Sequence, residues 1–415
     1  MADDTLTPEV VAKEALAILD NELGWLNKLH RAHESEFAQT VNGYKVGETI
    51  SIRRPADFTV RTGATMDIQD VIEGKTTLTV DQQIGVDFDF SSTDLTLKIE
   101  DLSERVIQPA MTNIINHLAN DVATQMYRGI YNWQGTAGQT INSYADFAKG
   151  PERLDLMAVP ASDRCALLSP VDHWALAGAA TNLANVGGAE SAAYRNGRLG
   201  MIGGVDLYMS QVTPTHTTGT RDNTTPLVDG ASQTSTYDSV KNTWTQSLVT
   251  DGHDSAVTIK AGDVFTIADV YMVNPKTKQS TGVLQQFVVT ADVTANATTT
   301  ADTTLTISPP IITSGPHQTV NAAPADDAAI TFVGAASTAY AQNLVFHKNA
   351  MALAVVPMSV PQGAVNVARR TRNGLSVRVI PSYDSINDIS RWRLDLLYGR
   401  KLIDPRLATR LSGTA

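Results

Sequence analysis

The sequence predicts a mixed α+β protein built from several distinct parts, and three stretches carry that prediction. Residues 84–133 read as a strand feeding one long helix. Residues 213–342 switch to threonine-rich short strands. Residues 343–415 return to long strands.

The first stretch is the organising one. Ile84, Val86, Phe88 and Phe90 alternate with polar residues, the period of a half-buried strand. Asp101 and Glu104 have the spacing of an N-cap and capping box, in which side chains satisfy orphan backbone N–H groups. Pro109 can open a second helix, since a first-turn proline forfeits no needed donor. Met111, Ile114, Ile115, Leu118, Val122, Met126 and Ile130 then recur at three- and four-residue steps. Asn113, Asn116, Asn120, Asp121, Thr124 and Arg128 fall largely on the other side. At ~1.5 Å per residue such a helix spans about 30 Å, with the apolar stripe as its core face.

Ahead of it, Thr7-Pro8-Glu9 is a helix start, and Val11, Ala15, Ile18, Leu19, Leu23 and Leu26 make a stripe ending near Lys28, Leu29 and His30. Glu36 to Val46 lacks periodicity and reads as an extended arm. From Gly47, GETISIRRP, FTVRTGATM and KTTLTVDQQIGVDFDF read as strands around a polar tip, a long β-hairpin. Such an excursion cannot bury both faces within its own unit, so it must lie on something else.

After the long helix, Tyr144 to Gly204 mixes short helices and strands. Arg164 to Leu168 is a buried-strand pattern, and Ser169 to His173 is a helix entry. In 213–342, threonine, valine, aspartate and glycine dominate and turn signals space short strands, the pattern of a small all-β barrel or sandwich. Beyond it, Leu344 to Val356 is a buried run. Trp392, Leu394, Leu396 and Tyr398 alternate against Arg391, Arg393 and Asp395, and LIDPRLATRL reads as a strand-like tail.

Composition excludes several classes. The chain has 415 residues, 42% hydrophobic and 18% charged, a soluble globular balance. Its net charge is −11 with no Lys/Arg run, which argues against a protein that grips phosphates. Cys165 is the only cysteine, so neither a disulfide framework nor a cysteine metal site is expected. The acidic MADDTLTPEV is no signal peptide, and no run approaches a membrane span.

Motifs for catalysis fail on context. Gly74-Lys75-Thr76 resembles the end of a phosphate-binding loop, but Gln69 stands where the first glycine belongs and no helix follows. Gly197, Gly200, Gly203 and Gly204 precede a strand instead of opening a helix, and read as tight turns. His30 and His33 have no third ligand at helical spacing. Asp172 and His173 could supply a base, yet no strained G-x-S-x-G elbow accompanies them, and Cys165 lies in an apolar run. A cytosolic hydrolase using Asp172, His173 or Cys165 remains an alternative.

Taken together, five segments resemble the major capsid (coat) proteins of tailed bacteriophages, in the branch with an inserted β-domain typified by Salmonella phage P22. They are IGVDFDFSSTDLTLKIEDLSERVIQPAMTNIINHLANDV, AYRNGRLGMIGGVDLYMSQ, TIKAGDVFTIADVYMVNPKTKQSTGVLQQFVVTA, FHKNAMALAVVPM and RWRLDLLYGRKLIDPRLATRL. The resemblance implies the Hong Kong 97-type capsid fold. It assigns 1–46 to an N-terminal helix and arm, 47–83 to an extended loop, and 84–143 to the peripheral-domain strand and spine helix. Residues 144–212 become an axial domain, 213–342 an inserted β-barrel-like domain, and 343–415 the return strands of the peripheral and axial domains.

The implied function is a shell subunit, forming pentamers and hexamers in an icosahedral capsid around double-stranded DNA. The implied partners are a scaffolding protein, a portal protein and a decoration protein, with DNA contacted non-specifically and no membrane. Because the arm follows Met1 after some forty residues, scaffolding is expected to be a separate protein. No catalytic, cofactor or metal residue is expected. The expected inter-subunit residues are Arg53, Arg54, Arg61, Asp67, Asp70, Glu73 and Lys75 of the extended loop. The expected spine core is Met111, Ile114, Ile115, Leu118, Val122 and Met126. An encapsulin-like compartment is the runner-up on the same fold, weakened by the insertion. A β-rich adhesin is disfavoured by the helical N-terminal third.

Overall fold

The computed structural model describes residues 7–32, 47–66, 68–91, 103–182, 199–221, 225–296, 301–361, 363, 366–387 and 389–414. The arm expected over 36–46, the cap residue Asp101 and the loop residue Asp67 lie outside them. The chain divides into two compact units: Met1–Ser51, Thr77–Val122 and Met351–Lys401, and Ile52–Thr76, Ala123–Ala350 and Leu402–Ala415.

In the first unit, helix α1 (Pro8–Glu22) starts at Thr7, whose hydroxyl accepts from the Val10 N–H at 3.4 Å. It is shorter than its apolar stripe predicts. Gly24 takes a left-handed φ of +53°, and the chain continues as a 3-10 turn over Gly24–Lys28. Leu23 and Leu26 are nonetheless buried, so the stripe marks the core side of both pieces. The helix packs on the strands Ala368–Arg372 and Leu375–Asp384. Its rim is tied there by Glu9 to Arg370 at 2.6 Å.

Those strands belong to a sheet ordered Met351–Val356, Ile389–Leu402, Leu375–Asp384, Ala368–Arg372, with Gln82–Ser91 also paired to Ile389–Leu402; the pairings among Ala368–Arg372, Leu375–Asp384, Ile389–Leu402 and Gln82–Ser91 are antiparallel. Ile84 lies opposite Leu396, Val86 opposite Leu394 and Phe88 opposite Trp392, so both alternating patterns fall on one face. Asp395 departs from the expected outward set. It is buried because Arg378 bonds it at 2.6 Å and Arg393 at 2.8 Å, and a buried carboxylate survives only when so paired.

Helix α2 (Gln108–Gly129) is preceded directly by a π-helical turn, Ser103–Ile107, so the chain runs on where the sequence suggested a break at Pro109. Pro109 falls in the first turn, where its missing N–H costs nothing. Met111, Ile114, Ile115, Leu118, Val122 and Met126 are all buried. On the opposite side Asp121 accepts from the Tyr398 hydroxyl at 2.6 Å and from Arg400 Nη2 at 2.8 Å. Burial and that bond drive the Tyr398 phenol well above its usual range.

In the second unit a six-stranded sheet runs Trp133–Gln134, Ala408–Leu411, Asn343–His347, Arg164–Leu168, Val205–Met209, Met201–Ile202. The strand-like tail is thus an interior strand, antiparallel to Asn343–His347 and parallel to Trp133–Gln134. Helices α3 (Tyr144–Leu156) and α4 (Pro170–Asn182) accompany it. Phe147, Leu154, Leu168, Leu176, Val345 and Leu411 share one core. Gly150 lets α3 approach closely, since a Cβ there would sit 2.9 Å from Val345 Cγ2.

The threonine-rich region forms a second antiparallel sheet, ordered Ile330–Phe332, Val264–Val273, Ser280–Val289, Thr303–Ser308, Gln246–Asp251, Leu227–Val228. Its two edge strands meet. Leu227 bridges Ala329, and the Val228 and Asp327 amides bond the Ala328 and Val228 carbonyls, both at 3.0 Å. The sheet therefore closes into a small barrel, which removes its edges. Phe265 stacks on Phe287 inside it at 5.7 Å. One short helix, α5 (Tyr237–Val240), interrupts a region that the sequence read as free of helical periodicity.

Thr215–Thr217 pairs with Ala339–Ala341 where the chain enters and leaves this barrel. Asp263 is buried there, bonded to His216 at 2.9 Å and to the Lys260 amide at 2.9 Å, with Arg221 at 3.4 Å. Burial opposes its ionisation, but the His216 bond and the Arg221 charge hold it below the usual carboxylate range.

Candidate inter-subunit surface

The extended loop is rooted by backbone pairing. Glu48–Arg53 pairs with Lys75–Val80, the Arg54 amide bonds the Gly74 carbonyl at 2.8 Å, and Arg53 meets Glu73 at 3.3 Å. FTVRTGATM, read as a strand, is irregular. The Gln69 side-chain amide bonds both the Thr59 N–H at 2.8 Å and its carbonyl at 2.7 Å, occupying the groups a ladder would need. Arg61 donates to the Thr65 carbonyl at 2.9 Å and to that of Gly63, pinning the tip.

The base of the loop is held by a cluster the sequence did not reveal. A Cβ on Gly74 would overlap the Lys241 carbonyl, and the Lys75 amide bonds Asn242 Oδ1 at 3.0 Å. The Arg54 guanidinium lies 5.8 Å from the Trp244 ring centroid and that of Arg406 lies 5.5 Å from it. Asp57 faces Lys276 and Lys278, each at 3.8 Å.

Arg406 in turn clamps Asp404, with Nη2 at 2.7 Å from Oδ2 and Nε at 3.0 Å from Oδ1. Burial pushes Asp404 up, but this guanidinium overrides it and holds the carboxyl low; the carboxylate raises Arg406 in return. His317, stacked on Tyr237 at 3.5 Å, is pushed down to about 4 by burial, with Arg406 adding to the effect.

Beyond this base the loop offers an apolar set to solvent: Phe58, Val60, Met66, Ile68 and Val71, with Val60 95% exposed. Isolated exposed apolar residues are ordinary, whereas five on one held loop make a candidate contact surface. Of the charged residues expected here, Arg53, Arg61, Asp70, Glu73 and Lys75 are exposed. Arg54 is half-buried against Trp244 and belongs to the base. Trp244, Asp404 and Arg406 were missed because they come from distant sequence. The apolar residues were legible in principle, as large side chains in a stretch without periodicity.

The residues considered for catalysis are engaged in structure. Ser169 caps α4 by accepting from the Asp172 amide at 3.2 Å, and Asp172 accepts from the Ser169 hydroxyl at 2.5 Å, the Ile141 amide at 2.8 Å and Asn343 Nδ2 at 2.8 Å. His173 and Cys165 are buried. Gly74 leads into a strand, and Gly200, Gly203 and Gly204 take positive φ around a short hairpin. Among the described residues no group of three His, Cys, Asp or Glu could hold a metal ion, and no helix is long and apolar enough to cross a membrane.

A family model described as "P22 coat protein - gene protein 5" matches residues 27–413. No curated protein sequence gives a significant match. Among solved structures, one from Mycobacterium phage Che8 is 13% identical over 93% of this chain and 89% of that one, with a TM-score of 0.46. The capsid of Ralstonia phage GP4 is 9% identical over 94% and 88%, with a TM-score of 0.41. A CUS-3 coat protein I-domain is 31% identical over 26% of this chain and 93% of that one, with a TM-score of 0.20. At TM-scores below 0.5 these likenesses carry no part of the conclusion, which the family match supplies.

The elements above are a long helix, an antiparallel sheet of returning strands, a mixed sheet with two helices, and an inserted β-barrel. The chain belongs to the P22 coat protein family: it is a major capsid protein of a tailed phage, a virion component whose copies assemble into a shell.

Proposed function

We propose that copies of this chain form pentamers and hexamers of an icosahedral shell around double-stranded DNA, joined in part by the extended loop of each copy lying on its neighbour. The exposed apolar set Phe58, Val60, Met66, Ile68 and Val71 carries this reading, because it stands on a base clamped by Trp244, Arg54 and Arg406. A contact element needs both features: apolar surface to bury and an anchored root that limits the entropy lost on docking. Arg61, Asp70 and Glu73 would form its polar rim, with Asp67 between them in sequence.

On this reading assembly takes place in the host cytoplasm with a scaffolding protein, a portal at one vertex and a decoration protein outside. The chain contributes no catalysis. Its net charge of −11 suits a wall that must not bind the packaged DNA. The domain limits are those assigned above; pairing of Thr215–Thr217 with Ala339–Ala341 supports the limits of the insertion, 213–342.

The test is electron microscopy of the protein expressed in bacteria, alone and with the scaffold gene of its own genome. Closed shells or spirals support the reading, and dependence on the second gene supports separate scaffolding. A monodisperse monomer or dimer under both conditions contradicts it.

A further inference from the structure

We propose that the cavity at the base of the extended loop, lined by Trp244, Lys278, His317 and Arg406, binds one small monovalent anion, a halide such as chloride. Tyr131 and Thr319 add to its wall. It leaves about 20 Å³ for the centre of a water-sized sphere, room for one water or one monatomic ion and too little for a sulfate or phosphate. The Lys278 side chain is 18% exposed, so solvent reaches one wall and an ion can exchange.

The cavity holds an unmet donor. Among the described residues that line it, Trp244 alone has a buried side-chain polar atom without a hydrogen-bond partner, its Nε1. The residue is 5% exposed. An indole N–H can only donate, and burying it unmet carries a desolvation cost. The Trp244 backbone is strained as well. Its φ is +58°, a left-handed conformation unfavourable for a bulky residue, and the Trp244 amide is held there by a 2.7 Å bond to the Val240 carbonyl. A strained residue with an orphan donor points to a partner that the chain itself does not supply.

Charge identifies that partner. Lys278 and Arg406 line the cavity, and the Arg54 guanidinium lies on the same indole as that of Arg406. Two carboxylates answer these three cations. Asp404 is clamped by Arg406 at 2.7 Å, and Asp57 stands 3.8 Å from Lys278 while also facing the exposed Lys276. The cluster is left with positive charge in excess. His317 and Tyr131 do not offset it: burial pushes the histidine down to about 4 and the phenol above its usual range, so both are neutral at pH 7. Burial also lowers Lys278 against the pull of Asp57, and Arg406 and Lys276 add to the lowering. A water molecule brings no compensating charge. A monovalent anion does, and it can accept from the indole N–H, the ammonium and the guanidinium.

The site joins three distant parts of the chain: Arg54 of the loop, Trp244 and Lys278 of the inserted region, and Arg406 of the tail. An anion bound there ties the root of the loop, so the stability of that root becomes a function of halide concentration. This inference does not depend on how copies of the chain assemble.

The probe is chloride, added as the sodium salt to the full chain and compared with sodium gluconate at equal ionic strength. A titration followed by the linewidth of the chloride nuclear resonance should show a saturable site, and the thermal midpoint should be higher in chloride than in gluconate. Lys278→Met and Trp244→Phe each remove one donor. Each should weaken the saturable binding about tenfold or more and remove most of the chloride-dependent shift. Should a variant misfold, crystals of the unsubstituted chain grown in bromide decide: anomalous scattering should lie within hydrogen-bond reach of Trp244 Nε1 and Lys278 Nζ. An absence of saturable binding, equal binding in both variants, or bromide found only elsewhere would overturn the proposal and leave the cavity to an ordered water.

Discussion

Asp172 shows how one residue can mislead at the scale of chemistry and inform at the scale of structure. An aspartate beside a histidine at a helix entry has the composition of a general base. The same four residues, Ser169-Pro170-Val171-Asp172, are also a capping sequence with proline at the first helical position. Local sequence cannot choose between these, because the choice depends on Ile141 and Asn343, which arrive from elsewhere. Asp172→Ala should leave three buried donors without acceptors and cost about 2–4 kcal/mol, read as a lower urea midpoint at unchanged slope. A loss below ~0.5 kcal/mol would contradict the role assigned to it.

His317 sets a pH dependence of known sign. Its folded-state value of about 4 lies below the ~6.5 of an unfolded histidine, so the unfolded state binds more protons between those limits. Its contribution is therefore fully present above about pH 6.5 and is lost as pH falls toward 4. The linkage limit is about 3 kcal/mol. Unfolding free energies at pH 7 and pH 5 should show this loss, and His317→Gln should flatten that share of the slope. An identical slope in the variant would remove His317 as its source.

At the scale of elements, periodicity carried most of the information. The α2 stripe, the alternation of Ile84, Val86 and Phe88, and the Trp392–Leu396 pattern lie where their spacing put them: the stripe is buried, and Ile84, Val86 and Phe88 stand opposite Leu396, Leu394 and Trp392. Ile115→Asp or Leu118→Asp should cost several kcal/mol and give insoluble or non-assembling protein, since an unpaired carboxylate would replace a side chain 5% or 0% exposed. Soluble protein forming normal particles from either variant would refute the buried stripe.

What periodicity could not show was continuation or closure. The π-turn into α2, the left-handed Gly24 and the Leu227–Ala329 bridge closing the barrel each depend on backbone bonds rather than side-chain pattern. The loop failed as a strand for a related reason: Gln69 takes up the Thr59 backbone groups. Its base makes a separate prediction. Gly74→Ala should cost about 1–3 kcal/mol, because the methyl group must displace the Lys241 carbonyl, and a midpoint unchanged in urea would show that this approach is not tight.

At the scale of the whole molecule, architecture was legible through order more than through any single motif. A strand and long helix, a mixed segment, a β-barrel and returning strands follow one another in the sequence and again in the structure. The base of the loop was not legible, because Arg54, Trp244, Asp404 and Arg406 are joined only by the fold. The sequence reading named charged residues as contacts, and the exposed surface of the loop adds Phe58, Val60, Met66, Ile68 and Val71 to them. That addition decides how assembly should respond to salt: contacts dominated by apolar burial weaken little as ionic strength rises.

The most direct measurement of the central claim is particle formation by a chain in which residues 60–66 are replaced by a short Gly-Ser link. The rooted base, from Arg54 to Asp57 and at Gly74 and Lys75, stays intact in this variant. The account predicts an isolated chain with an unchanged urea midpoint and few or no shells by electron microscopy and sedimentation. Shells of normal yield and stability would contradict the loop as an inter-subunit element.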